Sequence, residues 1–488
     1  MLCRFLHATL FQGLFAYVRE IVKIIVTVSA LLFCASASAA EPVLLDHEAV
    51  ARESIDHLTA LIQIDSSNPP GNETEVARYL QLALATEDIS SDLYALEPDR
   101  ANLVARINGN GSKRPLLIMA HTDVVGVQKD KWTVDPFGGV RRDGWIYGRG
   151  ALDDKDNVTA SLIVMLMLKR YEIALDRDII FLAESGEEAT PHVGINFMVE
   201  NHWDKIAAEF ALAEGGTNTE VDGKVATVGI ETTEKMPRRV WLVARGTAGH
   251  GSRPRIDNAV TTLAAAVAKA GVWQTPVRLN ATTRAYFERL ASISQGDDAW
   301  RYANVGDPDK IDEIQQYFLN ENPFHYSILR TSVVPTILDG GFRSNVIPSE
   351  ARAKLDIRML PDEDVEGFYQ ELAKVIDDSR VEIVPDDIYR PAAPPSEIDN
   401  EMFQALESVA NRMYPGATVL PIMMTGATDM AQVRAKGVQA YGFGPKRTLV
   451  EMTSARGAHG DDERIAEEAL TELVLFLWHT VIAVAATP

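Results

Sequence analysis

The feature that most constrains this chain is a set of short apolar runs, each ending in carboxylate or imidazole side chains. In "DIIFLAESGEEATP" the run "DIIFLA" has the texture of a parallel-sheet strand covered on both faces. It is followed at once by Glu184, Glu187 and Glu188. The C-terminal ends of such strands face the crevice where open α/β sheets bind ligands. Carboxylates crowded there repel one another and lose hydration, so a positive group has to hold them. For an isolated "EE" a solvated acidic loop would suffice, but the pattern recurs. "MAHTDVV" supplies His121 and Asp123, "YGRGALDDKDN" Asp153 and Asp154, "ALAEGG" Glu214, and "GAHGDDER" His459.

Strand-like and helix-like segments alternate from "HEAVARESIDHLTALIQID" to about residue 236, which predicts a mostly parallel α/β sheet. With 488 residues the chain is too long for one ordinary core. Near residue 237 the texture changes. "RRVWLVARGT" is an alternating strand, "DNAVTTLAAAVAKAG" a helix, "GFRSNVIPSEARAKLDIRML" a strand pair, "VEGFYQELAKVIDD" a helix and "RVEIVP" a strand. A β-α-β-β-α-β order predicts a separate layered α+β unit of the ferredoxin-like, split βαβ type. Polar helix-and-loop sequence at about 275–335 interrupts it as an insertion. The prolines of "YRPAAPPSEID" mark a linker, after which helix and strand texture returns.

The first forty residues are of another kind. "IVKIIVTVSALLFCASASAAEP" gives a basic residue, a short apolar core and small residues, the order of a secretory signal. Its apolar core is too short for a comfortable membrane span. Residues 1–40 therefore read as a signal peptide, and the mature chain as a periplasmic or secreted protein with no stable membrane span. Both cysteines, Cys3 and Cys34, fall in this leader, so no thiol or disulfide is expected in the mature chain. The formal charge of −22, without a block of Lys or Arg, argues against nucleic acid and anionic membranes as partners.

Imidazole with carboxylate is the ligand chemistry of zinc, each ion taking three or so protein groups and leaving a place for water. Two ions about 3.5–4 Å apart need a shared ligand, and a carboxylate can bridge. Of Asp153 and Asp154, one could bridge and the other stand behind it. Asp123 is spaced to lie beside His121 and fix its tautomer. Of Glu187 and Glu188, one could ligate while the other faces substrate as a base. Competing chemistries lack their motifs: there is no G-x-S-x-G, no His-Glu-x-x-His and no strand–G-x-G-x-x-G–helix. His192, His202 and His325 stand in no motif.

The ordered set resembles the dinuclear-zinc metallopeptidase family of aminoacylases, glutamate carboxypeptidase, acetylornithine deacetylase and succinyl-diaminopimelate desuccinylase. The resemblance runs from "LTALIQIDSSNPPGNE" through "MAHTDVV", "GRGALDDKD", "ESGEEA", "LAEGG", "GTAGHGSRP" and "RSNVIPSEARAKLDIRMLP" to "TGATDM" and "GAHGDDERI". It implies that Asp153 bridges two zinc ions, with Co²⁺ or Mn²⁺ as substitutes. His121 and Glu214 would complete one site, Glu188 and His459 the other. Glu187 would be the general base, and Asp123 would orient His121. His250 matches a histidine that reaches the reacting carbonyl, often across a dimer interface. Asn345 and Arg358 match substrate-contacting positions, and Gly426, Thr428 and Asp429 a loop lining the pocket. The implied organisation is a catalytic domain in two parts, 41–236 and 387–488, with a lid and dimerisation domain at 237–386.

Two features depart from the family pattern. Asp156 stands where a glycine usually follows the lysine of "DDK", adding negative charge near the metals. The insertion at about 275–335 resembles the larger carboxypeptidase and acyl-amino-acid hydrolase branches. The expected activity is zinc-dependent hydrolysis of small peptides, of carboxypeptidase type, by water activated between the ions. An aminoacylase-like activity on N-acyl amino acids is the alternative, and a metal-retaining binding protein without turnover a third reading. Glu187, the expected base, weighs against that third reading.

Overall fold

The strands Leu116–His121 and Ile179–Glu184 are buried along their whole length and pair in parallel, with His121 opposite Glu184. Phe210–Ala213 pairs in parallel on the other side of Leu116–His121. Three apolar runs therefore end at one edge of a sheet, as their composition requires. The computed structural model describes residues 45–387, 390–454 and 456–487. The leader expected at residues 1–40, with Cys3 and Cys34, lies outside the described residues.

This sheet has ten strands. Its order is Ser91–Ala95, Ala101–Ile107, Ile179–Glu184, Leu116–His121, Phe210–Ala213, Gln439–Gly442, Lys224–Glu234, Thr217–Val221 and Lys446–Thr448, with Thr418–Met424 also paired to Lys224–Glu234. The centre is parallel and the first two strands are antiparallel. The helix Lys155–Arg170 is buried from Lys155 to Leu168, so the "IVMLMLK" methionines are core. The helix Glu467–Ala485 is long and apolar enough to cross a membrane by length and composition. It packs instead against Lys155–Arg170, Glu401–Met413 and His47–Ile62, so its apolar surface is spent on the core.

A second sheet runs Ser332–Gly340, Glu350–Met359, Met236–Arg245 and Val381–Pro385, antiparallel throughout. Buried side chains alternate with exposed or part-exposed ones along Glu350–Met359. Its inner face joins the helices Ala259–Val272 and Val365–Ile376 in one core with Leu242, Leu263, Leu355 and Leu372. Chain order and strand order together are ferredoxin-like. The expected strand pair is displaced, however. Its first strand is Ser332–Gly340, read from sequence as the end of the insertion, and only Val346–Ile347 is extended in the stretch where that strand was expected. Pro335 and the bulge between Pro335 and Ile337 obscured the alternation.

The rest of the insertion is four helices, Ala281–Ile293, Gly296–Ala303, Ile311–Glu321 and Pro323–Ile328. They make a core with Leu360, Leu420 and Met423, and so pack on the strand Thr418–Met424. His325 sits inside, ringed by Tyr286, Phe287, Tyr302, Phe318 and Phe324. Tyr286 Oη lies 2.9 Å from its Nε2, and its Nδ1 has no hydrogen-bond partner among the described residues. The linker at 390–399 carries no helix or strand, yet it is anchored: Ser396 N donates to the Thr232 carbonyl at 2.8 Å.

Burial pushes His325 down to about 4. In the unfolded chain the imidazole titrates near ~6.5. Below that value the unfolded chain binds a proton that the folded chain refuses, so stability is full above ~6.5 and falls with pH toward about 4. Between pH 7 and 5 the loss should be about 2 kcal/mol. Denaturant titrations at both pH values should show His325→Phe losing correspondingly less than the native chain, and equal losses would refute the assignment.

Candidate metal centre

Asp153 is the hub of the crevice. His121 Nε2 lies 2.9 Å from Asp153 Oδ1, and His459 Nε2 lies 3.1 Å from Asp153 Oδ2. One carboxylate thus presents each oxygen to a different imidazole. His459 Nε2 is also 3.1 Å from Glu188 Oε1, and His121 Nε2 is 3.9 Å from Glu214 Oε1. Ligand atoms of His121, Asp153 and Glu188 lie within 4.8 Å of one another, as do those of His121, Glu187 and Glu214. The five ligands expected from sequence are brought together, and Glu187 stands among them.

The elements explain the convergence. His121 closes its strand, Glu214 follows Phe210–Ala213, and Glu187 and Glu188 occupy the turn after Ile179–Glu184. Asp153 is not at a strand end as its motif suggested. It lies in the turn between Trp145–Tyr147 and the buried helix Lys155–Arg170. His459, at φ 62°, comes from a loop before the strand Arg464–Ala466. Arg149 joins these two loops: it is ion-paired to buried Glu463 and donates to the Gly460 carbonyl at 3.1 Å. Glu463 Oε1 in turn accepts from Leu152 N at 2.8 Å. Neither Arg149 nor Glu463 was singled out in the sequence.

Asp123 does more than accompany His121. Its carbonyl lies 3.0 Å from His121 Nδ1, nearer than its carboxylate at 3.5 Å. A carbonyl only accepts, so Nδ1 carries the proton and the lone pair of Nε2 is left for a metal ion. The carboxylate is used otherwise. Oδ1 accepts from Glu187 N and Oδ2 from Glu188 N, each at 3.1 Å, and Asn68 Nδ2 donates to Oδ2 at 2.7 Å. Asp123 therefore pins the turn that bears both glutamates, with Asn68 of "SSNPPG" behind it. Asp154 stands behind His121, accepting from its backbone N at 3.1 Å.

The electrostatics show what the cluster lacks. Burial, then the charge of Asp154, pushes Glu214 well above the usual carboxylate range. Burial pushes Glu188 up as well, with Asp153 adding to it. Burial works against Asp153 too, but two imidazoles outweigh it and hold the group below the normal range. A buried carboxylate set that is pushed up at Glu214, and even at Glu188 with His459 beside it, is short of positive charge. Two divalent ions would supply that charge, and the paired imidazole and carboxylate donors fit them. Asp156, expected to add negative charge, is fully buried without a hydrogen-bond partner among the described residues. Burial and Asp154 push it well above the usual range.

The expected substrate residues divide into two groups. His250 and Asn345 meet on a two-stranded ribbon, Gly249–His250 with Val346–Ile347, where Gly251 N donates to the Asn345 carbonyl at 2.8 Å. Ser252 N donates to His250 Nδ1 at 3.1 Å, which leaves Nε2 as the protonated nitrogen. Among the described residues no hydrogen bond or ion pair joins this ribbon to the His121 cluster. Arg358, matched to a substrate-contacting position, holds Asp356 at 2.8 Å. Thr428 is buried, bonded through N and Oγ1 to Glu234 at 3.1 and 2.7 Å. Asp429 is buried against Arg390, and Gly426 lies in the same loop, part-exposed. The sequence reading missed Arg390, which is ion-paired to Glu187, because its segment read only as a linker.

Paired imidazoles on a shared carboxylate, at the C-terminal edge of a parallel sheet, define a metal-dependent hydrolase type of centre. A profile of peptidase family M20/M25/M40 matches residues 117–483. The chain belongs to that family, whose members are hydrolases. It is similar to the human N-fatty-acyl-amino acid synthase/hydrolase PM20D1, 27% identical over 381 residues, covering 76% of this chain and 74% of that protein. It is also similar to a probable carboxypeptidase S-like 2 of Dictyostelium discoideum, 29% identical over 76% of this chain and 72% of that protein. Among solved structures it resembles the M20 family metallo-carboxypeptidase Sso-CP2 of Sulfolobus solfataricus. The TM-score is 0.65 at 20% identity, covering 88% of this chain and 98% of that one.

Asp123→Ala should release the turn carrying Glu187 and Glu188 while leaving the fold intact. Affinity for zinc, measured by chelator competition, is expected to fall about 10- to 100-fold. Unchanged affinity would show that the turn is held by other contacts.

Proposed function

We propose that this chain is a dinuclear zinc exopeptidase of carboxypeptidase type, cleaving small peptides that end in a free carboxylate. The observation that carries the reading is Asp153, with one oxygen on His121 and the other on His459. His121, Glu214 and Asp153 would hold one ion; Glu188, His459 and the same Asp153 the other. When bound, the pair lowers the proton affinity of water and polarises the amide carbonyl. Glu187 takes the proton from the attacking water and passes it to the leaving nitrogen. Asp123 keeps the Glu187 backbone in place for both transfers. His250 Nε2 is the donor that would meet the carbonyl oxygen when its ribbon approaches substrate, a contribution of about 3–4 kcal/mol for one well-placed donor.

A second reading, hydrolysis of N-acyl amino acids, is supported by the similarity to human PM20D1, named for N-fatty-acyl-amino acids. Both readings release an amino acid with a free carboxylate and differ in the acyl side. Export to the periplasm or medium is supported by the basic, apolar and small-residue order of residues 1–40.

A panel of dipeptides and N-acyl amino acids, with release of free amino acid as readout, tests the function. The zinc-loaded protein should favour dipeptides, and Glu187→Ala should lose about 10²–10⁴-fold in kcat with its zinc retained. Preference for N-acyl substrates would select the second reading, and no turnover of either class would refute both. We also propose a homodimer through the small sheet. Its edge strand Ser332–Gly340 exposes Val334, Ile337 and Leu338, a row that a second copy would cover. Sedimentation should give a particle of twice the chain mass, and a monomer at micromolar concentration would refute it.

A further inference from the structure

Arg390 lies between the strand Val381–Pro385 and the helix Glu401–Met413, in the connection that returns from the small sheet. Its side chain is 12% exposed and that of Glu187 10%, so this ion pair is largely shielded from water. Nη2 is bonded to Glu187 Oε1 and also lies 3.4 Å from the Glu187 carbonyl. Nη1 lies 3.3 Å from Asp429 Oδ1. Asp429 is 3% exposed and stands at the start of the helix Met430–Ala435. The guanidinium fork is thus fixed from behind by a buried carboxylate and in front holds the glutamate beside the metal ligands.

A glutamate side chain free to rotate gives up rotamer entropy when it is ordered. A base must also stand within hydrogen-bond reach of the proton it takes. Glu187 is held at both ends, its N by Asp123 and its Oε1 by Arg390. The planar fork fixes direction as well as distance. Arg390 occupies Oε1, and a carboxylate oxygen of Glu187 lies within 4.8 Å of ligand atoms of His121 and Glu214.

We propose that Arg390 is the positioning residue of Glu187, orienting its carboxylate for proton transfer. The inference rests on the hydrolase reading above. A rival role exists, because Arg390 also borders a cavity of about 180 Å³ with Glu188, Pro191 and Arg239. There it could instead receive a substrate carboxylate.

Steady-state kinetics of the zinc-loaded full chain separate the two roles. Arg390→Ala should lower kcat about 10²-fold, the effect of a slightly misplaced catalytic group. KM should stay within about threefold, because ground-state binding is untouched. Zinc content by mass spectrometry and the melting temperature should match the native chain. Arg390→Lys, which keeps the charge without the fork, should recover part of the loss. Adding Asp429→Asn to Arg390→Ala should cost nothing more, since Asp429 acts through Arg390. A rise in KM with kcat preserved would overturn the proposal in favour of a substrate receptor. Loss of zinc or of the fold in both variants would overturn it in favour of a structural ion pair.

If the native chain hydrolyses no amide, the hydrolase reading fails by itself. Crystal structures of the native and Arg390→Ala proteins then decide the positioning: the Glu187 carboxylate should turn away from His121 in the variant, and an unmoved carboxylate would refute the proposal.

Discussion

Asp153 shared between two imidazoles is the constraint on which the rest of this structure depends. Both of its oxygens are committed, one to His121 and one to His459, which stand 338 positions apart in the chain as numbered. Meeting that requirement fixes three things at once. The parallel sheet must end at His121, the turn after Trp145–Tyr147 must enter a buried helix, and the loop before Arg464–Ala466 must come back over both. The Arg149–Glu463 pair holds the second and third of these together. Burying so many carboxylates costs several kcal/mol for each charge that lacks a partner. The arginines nearby are already spent, Arg149 on Glu463 and Arg390 on Glu187 and Asp429. The remaining deficit is what a pair of divalent cations would fill, and it explains why acidic residues can be so dense in a buried crevice.

Around this hub polar contacts form a chain that reaches both glutamates of the acidic turn. Asn68 holds Asp123, Asp123 holds the backbone of Glu187 and Glu188, and Arg390 holds the Glu187 carboxylate. Each link comes from a different part of the chain: a Pro-rich loop, a strand end, an acidic turn and the return connection from the small sheet. The site is thereby tied to both sheets.

Much of this was legible in the sequence, for identifiable reasons. The central strands are apolar along their whole length, and the motif residues follow them immediately, so "MAHTDVV", "ESGEEA" and "LAEGG" located themselves. The ferredoxin-like order was legible through its helices, but the strand Ser332–Gly340 was not. A proline, a bulge and exposed apolar residues on an edge strand erase the alternation that marks a buried strand. The role of Asp123 was half legible: its proximity to His121 follows from spacing, whereas its bonds to Glu187 and Glu188 are long-range. Arg390, Arg149 and Glu463 were illegible for the same reason. Nothing local distinguishes an arginine beside prolines or glycines from a solvated one until the fold supplies its partner.

The most direct measurement is anomalous diffraction at the zinc edge from crystals grown with zinc. Two peaks about 3.5–4 Å apart are expected, with Asp153 between them, His121 and Glu214 on one, and Glu188 and His459 on the other. A single peak, or a pair whose shared ligand is not Asp153, would contradict it.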